Sequence, residues 1–419
     1  MSQRSRTDPI RSLREPGFLI YLIGTLLSNT GNQMRTLVVG WEVYERTGEA
    51  WTLGIVGLVL AIPVLVLALP AGMAADRFER KHIIMFAQAG LAASGLGLAW
   101  VSQHEASLVW LYLWLLGTGS FRAIGWPASQ AIVTGLVPSR VFPNAAMWRS
   151  MAFQTSMIVG PLIGAFVLAH TKSAAIVYLI DACTSVILIL CLAAVRPKPQ
   201  ARHAEPRSWR SFADGVRFVR RQPLILSTIT LDMVAVLFGG VTALLPIYAK
   251  DILMVGEPGL GWLKAMQSLG AITMSLLLAL RPPISRGGPA LLWAVSVFGV
   301  ATIIFGLSES YVLSLAALFV AGAADSISVV IRSTLVQLLA PDSMRGRVAA
   351  VNTIFIGTSN EIGEFESGMA AELLGPVLAV AGGGVMTLVT VFAVAGIWPQ
   401  IAKLGSLEDL QPAEPVEVT

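Results

Sequence analysis

Charge is what this sequence has least of. Of its 419 residues, 13% are Asp, Glu, Lys or Arg, and mean hydropathy is +0.72. An average soluble domain carries roughly 25% charge. So few charges cannot cover a water-facing surface of this length. That excludes a soluble enzyme, a disordered chain and a DNA-binding domain. Cysteine is nearly absent. Cys183 and Cys191 share one apolar run, separated by about 12 Å of helical rise. That is too far for a disulfide, and both read as small apolar packing residues. His82, His104, His170 and His203 are scattered without metal-ligand spacing, so no metal or cofactor is expected. There is no P-loop, nucleophile elbow or Ser-His-acid set, which argues against ATP driving and against an enzyme. What is plentiful is apolar: 55% of residues are hydrophobic. The composition leaves a polytopic membrane protein with lipid around most of its surface.

Apolar runs long enough to span a bilayer recur along the chain. They fall at about 17–45, 51–74, 81–102, 107–136, 142–169, 174–195, 223–249, 259–280, 289–307, 310–340, 346–373 and 376–399. Irregular backbone in lipid leaves hydrogen bonds unsatisfied, so the twelve runs are predicted helices. The first 16 residues are polar and basic and lead straight into a full span, unlike a cleavable signal. With both termini placed in the cytoplasm, 21 of the 29 Lys and Arg lie in cytoplasmic segments, and Arg46, Lys172 and Lys250 lie outside. The positive-inside rule favours that orientation.

The longest connection, 196–222, is basic and separates six spans from six. Trp209, Phe212, Val216 and Val219 share one helical face, predicting an amphipathic helix on the membrane surface; a plain topology anchor explains the same charges. A shift of 203 residues lays LVPSRVFPNAAM (136–147) over LAPDSMRGRVAA (339–350). The predicted fold is therefore all-α, with twelve transmembrane helices in two pseudo-symmetric six-helix bundles. The expected division is 1–195, the linker 196–222, 223–402, and a cytoplasmic tail 403–419.

Ionisable groups inside spans are costly and are functional candidates. The first span carries Asn29, Asn32 and Arg35 beside Ser28; the fourth carries Arg122, followed by Trp126. The tenth has Asp325, Ser328 and Arg332 on one face, and the seventh has Asp232. These spans hold the first and fourth places of each half. Asn29, Asn32, Arg35, Arg122, Trp126, Asp325 and Arg332 are the candidate substrate cavity. Arg and Asp could equally lock helices together. Asp181 in the sixth span has no evident partner in sequence. The eleventh span reads SNEIGEFESG, with Glu361 and Glu364 on one face. Two carboxylates so close repel in low dielectric, so one would hold a proton. They are the first candidates for proton coupling and Asp232 the next. A static cluster paired with Arg149 or Lys264 is the alternative. Gly160, Pro161 and Gly164 in the fifth span are candidates for close helix packing.

One motif is specific. GMAADRFERKHII follows the second span, with Gly72, Asp76, Arg77, Arg80 and Lys81. It resembles the signature between helices 2 and 3 of the major facilitator superfamily. PDSMRGRV (341–348) and the Gly-Pro pair of the fifth span resemble the bacterial branch that holds drug, enterobactin and macrolide exporters. The resemblance covers all twelve spans. It implies alternating access around a small-molecule site, and a cytoplasmic gating latch at Gly72, Asp76, Arg77, Arg80 and Lys81. The expected protein is a proton-coupled exporter of amphipathic small molecules in the bacterial inner membrane. An importer or facilitator is the alternative on the same fold. The expected partners are the substrate, protons and lipid, with no nucleic acid, and the expected state is a monomer.

Overall fold

The structure, a computed structural model, describes residues 10–198, 209–281, 284–341 and 344–405. The predicted spans are helices: α1 Pro16–Thr47, α2 Ala50–Arg77, α3 Arg80–Gln103, α4 Leu108–Ala131, α5 Phe142–Thr171 and α6 Ala174–Ala194. The second half has α7 from Pro223 to Ile252, α8 Gly256–Ala279, α9 Gly287–Leu307, α10 Tyr311–Leu339, α11 Arg345–Leu374 and α12 Pro376–Ile397. No strand occurs among the described residues. Ten of the helical spans are apolar enough to cross a membrane by composition. The other two are α1 and α11. Each holds charges that lower its hydropathy, among them Arg35 and Glu42 in α1 and Glu361, Glu364 and Glu366 in α11.

Local chemistry sets several helix ends. Ser107 caps α4, its hydroxyl accepting from the Val109 amide at 3.4 Å. Gly375, with φ at 84°, ends α11, and Pro376 opens α12 at a position where its missing N–H costs nothing. One span differs from the sequence expectation. The predicted continuous run 223–249 is broken: Pro223–Phe238 stops, Gly239–Gly240 leaves the helix, and Val241–Ile247 resumes before a π-turn at Tyr248–Ile252. A Cβ on Gly240 would lie 2.7 Å from Ser367 Oγ and 3.0 Å from the Gly363 carbonyl of α11. The break lets α7 seat against α11. An average over apolar residues does not register two glycines.

The chain divides into two compact units, Met1–Val39 with Ile62–Arg207, and Gly40–Ala61 with Ser208–Thr419. Thus the end of α1 and the first part of α2 group with the second unit, where the sequence division places all of 1–195 in the first. In the first unit α3 packs against α4 and α6; in the second, α9 packs against α10 and α12. The same pairs recur six helices later, which is the repeat expressed as packing. The amphipathic linker helix predicted from the sequence is present at Trp209–Arg221, and its apolar face packs on protein. Phe218 and Val219 are buried with Ile225 and Ile229 of α7 and Val348 and Val351 of α11. Asp214 lies 3.9 Å from Arg347. Within the tail, Gly405 and Leu404 carbonyls accept from the amides of Gly287 and Gly288 at 2.9 and 3.3 Å. Residues 406–419 lie outside the described part.

Candidate functional site

A cavity of about 300 Å³ opens within the first unit, between α1, α3, α4, α5 and α6. Its volume is at the low end of small-molecule sites. Asn29, Asn32, Arg35, Arg122 and Trp126, five of the predicted cavity residues, all line it. Tyr21, Phe121 and Phe153 supply further aromatic wall. Arg35 donates to Asp181 at 2.5 Å, with side chains 4% and 1% exposed, and also to Asn32. Asp181 therefore has a partner, contrary to the sequence reading. The residues lie 146 positions apart, and no local pattern announces the pair. Ser28 donates to Gln88 Oε1 at 3.2 Å, bringing α3 into the polar wall.

Arg149 also lines the cavity. The sequence offered it as a partner for the α11 carboxylates. Instead it donates to the Ser129 carbonyl at 3.1 Å, the Gln130 carbonyl at 3.4 Å and Gln130 Oε1. These are uncharged acceptors at the end of α4. Gly160 and Gly164 face α1. Cβ atoms there would stand 2.9 Å from the Thr30 carbonyl and 3.0 Å from Met34 Cα. Pro161 is buried between them. The small residues let α5 approach α1 and hold the polar stripe of α1 in place.

Asp325 and Arg332 belong to the second unit and do not line this cavity. Arg332 is 4% exposed and ion-paired with Asp232 of α7, whose side chain is 8% exposed. Asp232, a proposed proton carrier, is thus a carboxylate held by a guanidinium. Asp325 is half-buried, next to Ser326, whose hydroxyl lies 2.7 Å from Ser275 Oγ on α8.

Glu361 and Glu364 are half-buried on α11. Lys264 of α8 lies within electrostatic reach of Glu364. The pair also meets α2: a Cβ on Gly57 would be 2.7 Å from both the Glu361 carbonyl and Glu364 Cβ. Gly54 and Gly368 make the same crossing farther along, where a Cβ on Gly368 would be 2.7 Å from Gly54 Cα. Beyond them Glu372 accepts from the amides of Ala50 and Trp51 at 3.0 and 3.4 Å, placing a carboxylate on the positive end of α2. Tyr44 donates to Asp251, and Lys250 Nζ sits 5.6 Å from the Tyr44 ring centre. The sequence reading missed this assembly. Its signal was the glycine spacing on α2 and α11, which does not say which helices meet.

The latch residues divide their roles. Gly72 is buried and Asp76 half-buried near the end of α2; Arg77 is exposed. Arg80 donates to the Ala131 carbonyl at 2.7 Å and Thr134 Oγ1 at 3.1 Å. Lys81 donates to the Val195 and Ala193 carbonyls at 2.8 and 3.2 Å. Two of the basic residues thus cap the ends of α4 and α6, where cations are favoured.

The family profile described as transmembrane secretion effector matches residues 7–415. The chain is 26% identical over 374 residues to the enterobactin exporter EntS of Shigella boydii serotype 18, covering 88% of each chain. It is equally similar to EntS of Escherichia coli strain HS, again 26% over 374 residues and 88% of each. A bacterial homologue of the human lysosomal transporter Spinster, in an inward-facing and occupied conformation, has a TM-score of 0.73 at 16% identity, over 98% of this chain and 100% of that one. The nucleoside transporter NupG has a TM-score of 0.68 at 15% identity, over 91% and 99%. At such identities the two structures speak for the fold alone. The chain belongs to the transmembrane secretion effector family of the major facilitator superfamily, and it is a multi-pass membrane transporter rather than an enzyme.

Proposed function

We propose that this transporter exports amphipathic small molecules by proton antiport, through alternating access. The observation that carries the reading is the cavity of the first unit, where aromatic walls surround a few fixed polar groups. Such a lining suits a large apolar body with a polar end. The similarity to enterobactin exporters supports the outward direction. The positive-inside bias supports cytoplasmic termini in a bacterial inner membrane. Substrate, protons and lipid are its partners, and the working unit is a monomer. The reading is tested by efflux from energised cells loaded with a panel of dyes, antibiotics and catecholates. Expression should lower retention of at least one, and a protonophore should abolish the difference. Accumulation on expression, or efflux indifferent to the protonophore, overturns it.

For coupling, the reading uses Glu361 and Glu364. Two carboxylates three residues apart on one helical face repel when both are charged in low dielectric. One proton held on the pair relieves that repulsion. Movement of α2 across Gly57 would change water access to it. The variants Glu361→Gln and Glu364→Gln together should stop gradient-driven efflux while substrate exchange without a gradient continues. Full gradient-driven efflux in that double variant would place coupling elsewhere.

The latch role rests on Asp76, since Arg80 and Lys81 already cap helices. Asp76→Asn keeps the shape and removes the charge. Initial transport rates should fall severalfold at unchanged membrane insertion. Unchanged rates would leave the motif a helix-capping element only.

A further inference from the structure

We infer that an exposed basic face at one end of the second unit binds the headgroups of anionic phospholipid. That end is where α7 begins and where α8 and α12 finish. Phe218 and Val219 of the linker helix, Leu291 of α9, and Ile401 and Leu404 beyond α12 share one buried cluster there, and Ile284 packs against it. Around this core stand Arg220, Arg221, Arg281, Arg286 and Lys403, all exposed. The tail ties two of the carrying segments together. The Gly287 and Gly288 amides donate to the Gly405 and Leu404 carbonyls at 2.9 and 3.3 Å, which joins the chain at Arg286 to the chain at Lys403. None of the five cations is in an ion pair among the described residues. Asp214, the carboxylate of the linker helix, faces Arg217 at 3.2 Å and Arg347 at 3.9 Å instead.

What separates this face from an ordinary solvated one is the apolar surface that ends at it. Leu280, 77% exposed, immediately precedes Arg281, and Ile397, 65% exposed, closes α12 six residues before Lys403. Apolar side chains so exposed at the ends of spans face hydrocarbon. The cations beyond them therefore stand at headgroup depth. Their stems can lie along the apolar surface while the charged ends reach phosphate. Guanidinium groups offer paired donors to phosphate oxygens. Phosphatidylglycerol carries a net negative charge, whereas the choline of phosphatidylcholine cancels its own phosphate. The face should prefer the first. In the proposed orientation that lipid comes from the cytoplasmic leaflet. Binding itself depends neither on that orientation nor on export.

The test equilibrates the purified protein in non-ionic detergent with equal amounts of dioleoyl phosphatidylglycerol and dioleoyl phosphatidylcholine. Lipid that stays with the protein through gel filtration is extracted and quantified by mass spectrometry. Phosphatidylglycerol should exceed phosphatidylcholine about fivefold. The ratio should fall toward one at high salt. It should also fall toward one in the variant Arg220→Gln, Arg221→Gln, Arg286→Gln, Lys403→Gln. If that variant does not elute as the unmodified protein, the first two changes and the last two are made separately, and each pair should lower the ratio. Arg220→Lys, Arg221→Lys and Arg286→Lys together should keep it. Equal retention of the two lipids, or a preference untouched by these glutamines, overturns the inference. Two other occupants have their own outcomes, and either one overturns it as well. Displacement of phosphatidylglycerol by millimolar glycerol phosphate would mean a site for free phosphoesters. A preference that appears only after Glu408→Gln and Asp409→Asn would mean that the chain's own acidic tail covers the face.

Discussion

Arg35→Gln is expected to destabilise the first unit by about 3–5 kcal/mol, the cost of leaving one member of a buried ion pair without its partner. Asp181 is 1% exposed and loses a 2.5 Å charged hydrogen bond in that variant. A loss of this size is a large part of the total stability of a typical domain. The measurement is thermal unfolding in detergent, followed by the fraction that stays monodisperse. Removing both charges, with Arg35→Gln and Asp181→Asn together, should recover most of the loss, because the cost lies in the stranded charge. If the single variant melts with the unmodified protein, water reaches the pair and the burial described above is wrong. If the double variant is no better than the single, the pair acts through packing.

Gly57→Leu is expected to abolish transport while the helices stay formed. A single Cβ at that position already stands 2.7 Å from Glu364 Cβ and from the Glu361 carbonyl. Three further carbons require α2 and α11 to separate, and overpacking of this kind typically costs 1–3 kcal/mol. The larger effect is functional, since the crossing holds the two carboxylates proposed for coupling. Gly57→Ala should retain partial activity. Gly396→Ala, where an added Cβ meets nothing within 4 Å, should behave as the unmodified protein. Transport rates in vesicles at matched protein amounts, with helix content from circular dichroism, decide it. Full activity in Gly57→Leu would show that the crossing has slack and plays no part in the cycle.

Much of the architecture was readable because lipid imposes one rule on every span. Hydropathy placed twelve helices, and the repeat foresaw two related halves. It even survived where composition is weakest, in α1 and α11, whose charges lower their hydropathy. The five cavity residues of the first half converge because α1 and α4 turn their polar faces to the same space. What the sequence withheld is pairing between distant helices. Arg35 and Asp181, or Asp232 and Arg332, are visible as charges, but only packing says which meets which. Asp325 and Arg332 were grouped with Arg122 by depth along the chain; they belong to the second unit, where Arg332 meets Asp232. The break in α7 was written as two glycines inside an apolar run. Its meaning depends on Gly363 and Ser367 of α11, more than a hundred residues away. Glu372 drew no reading from the sequence, and it caps α2.

Export driven by protons is the central claim, and substrate-linked proton movement measures it most directly. The protein is reconstituted in liposomes with a pH-sensitive dye trapped inside, and a substrate identified by the efflux panel is added as a gradient with no pH difference. Substrate moving one way should drive protons the other way, and the pH change should vanish in the Glu361→Gln, Glu364→Gln protein while labelled substrate still exchanges. Substrate flux with no proton movement in the unmodified protein, or proton movement in the same direction as substrate, would contradict the account.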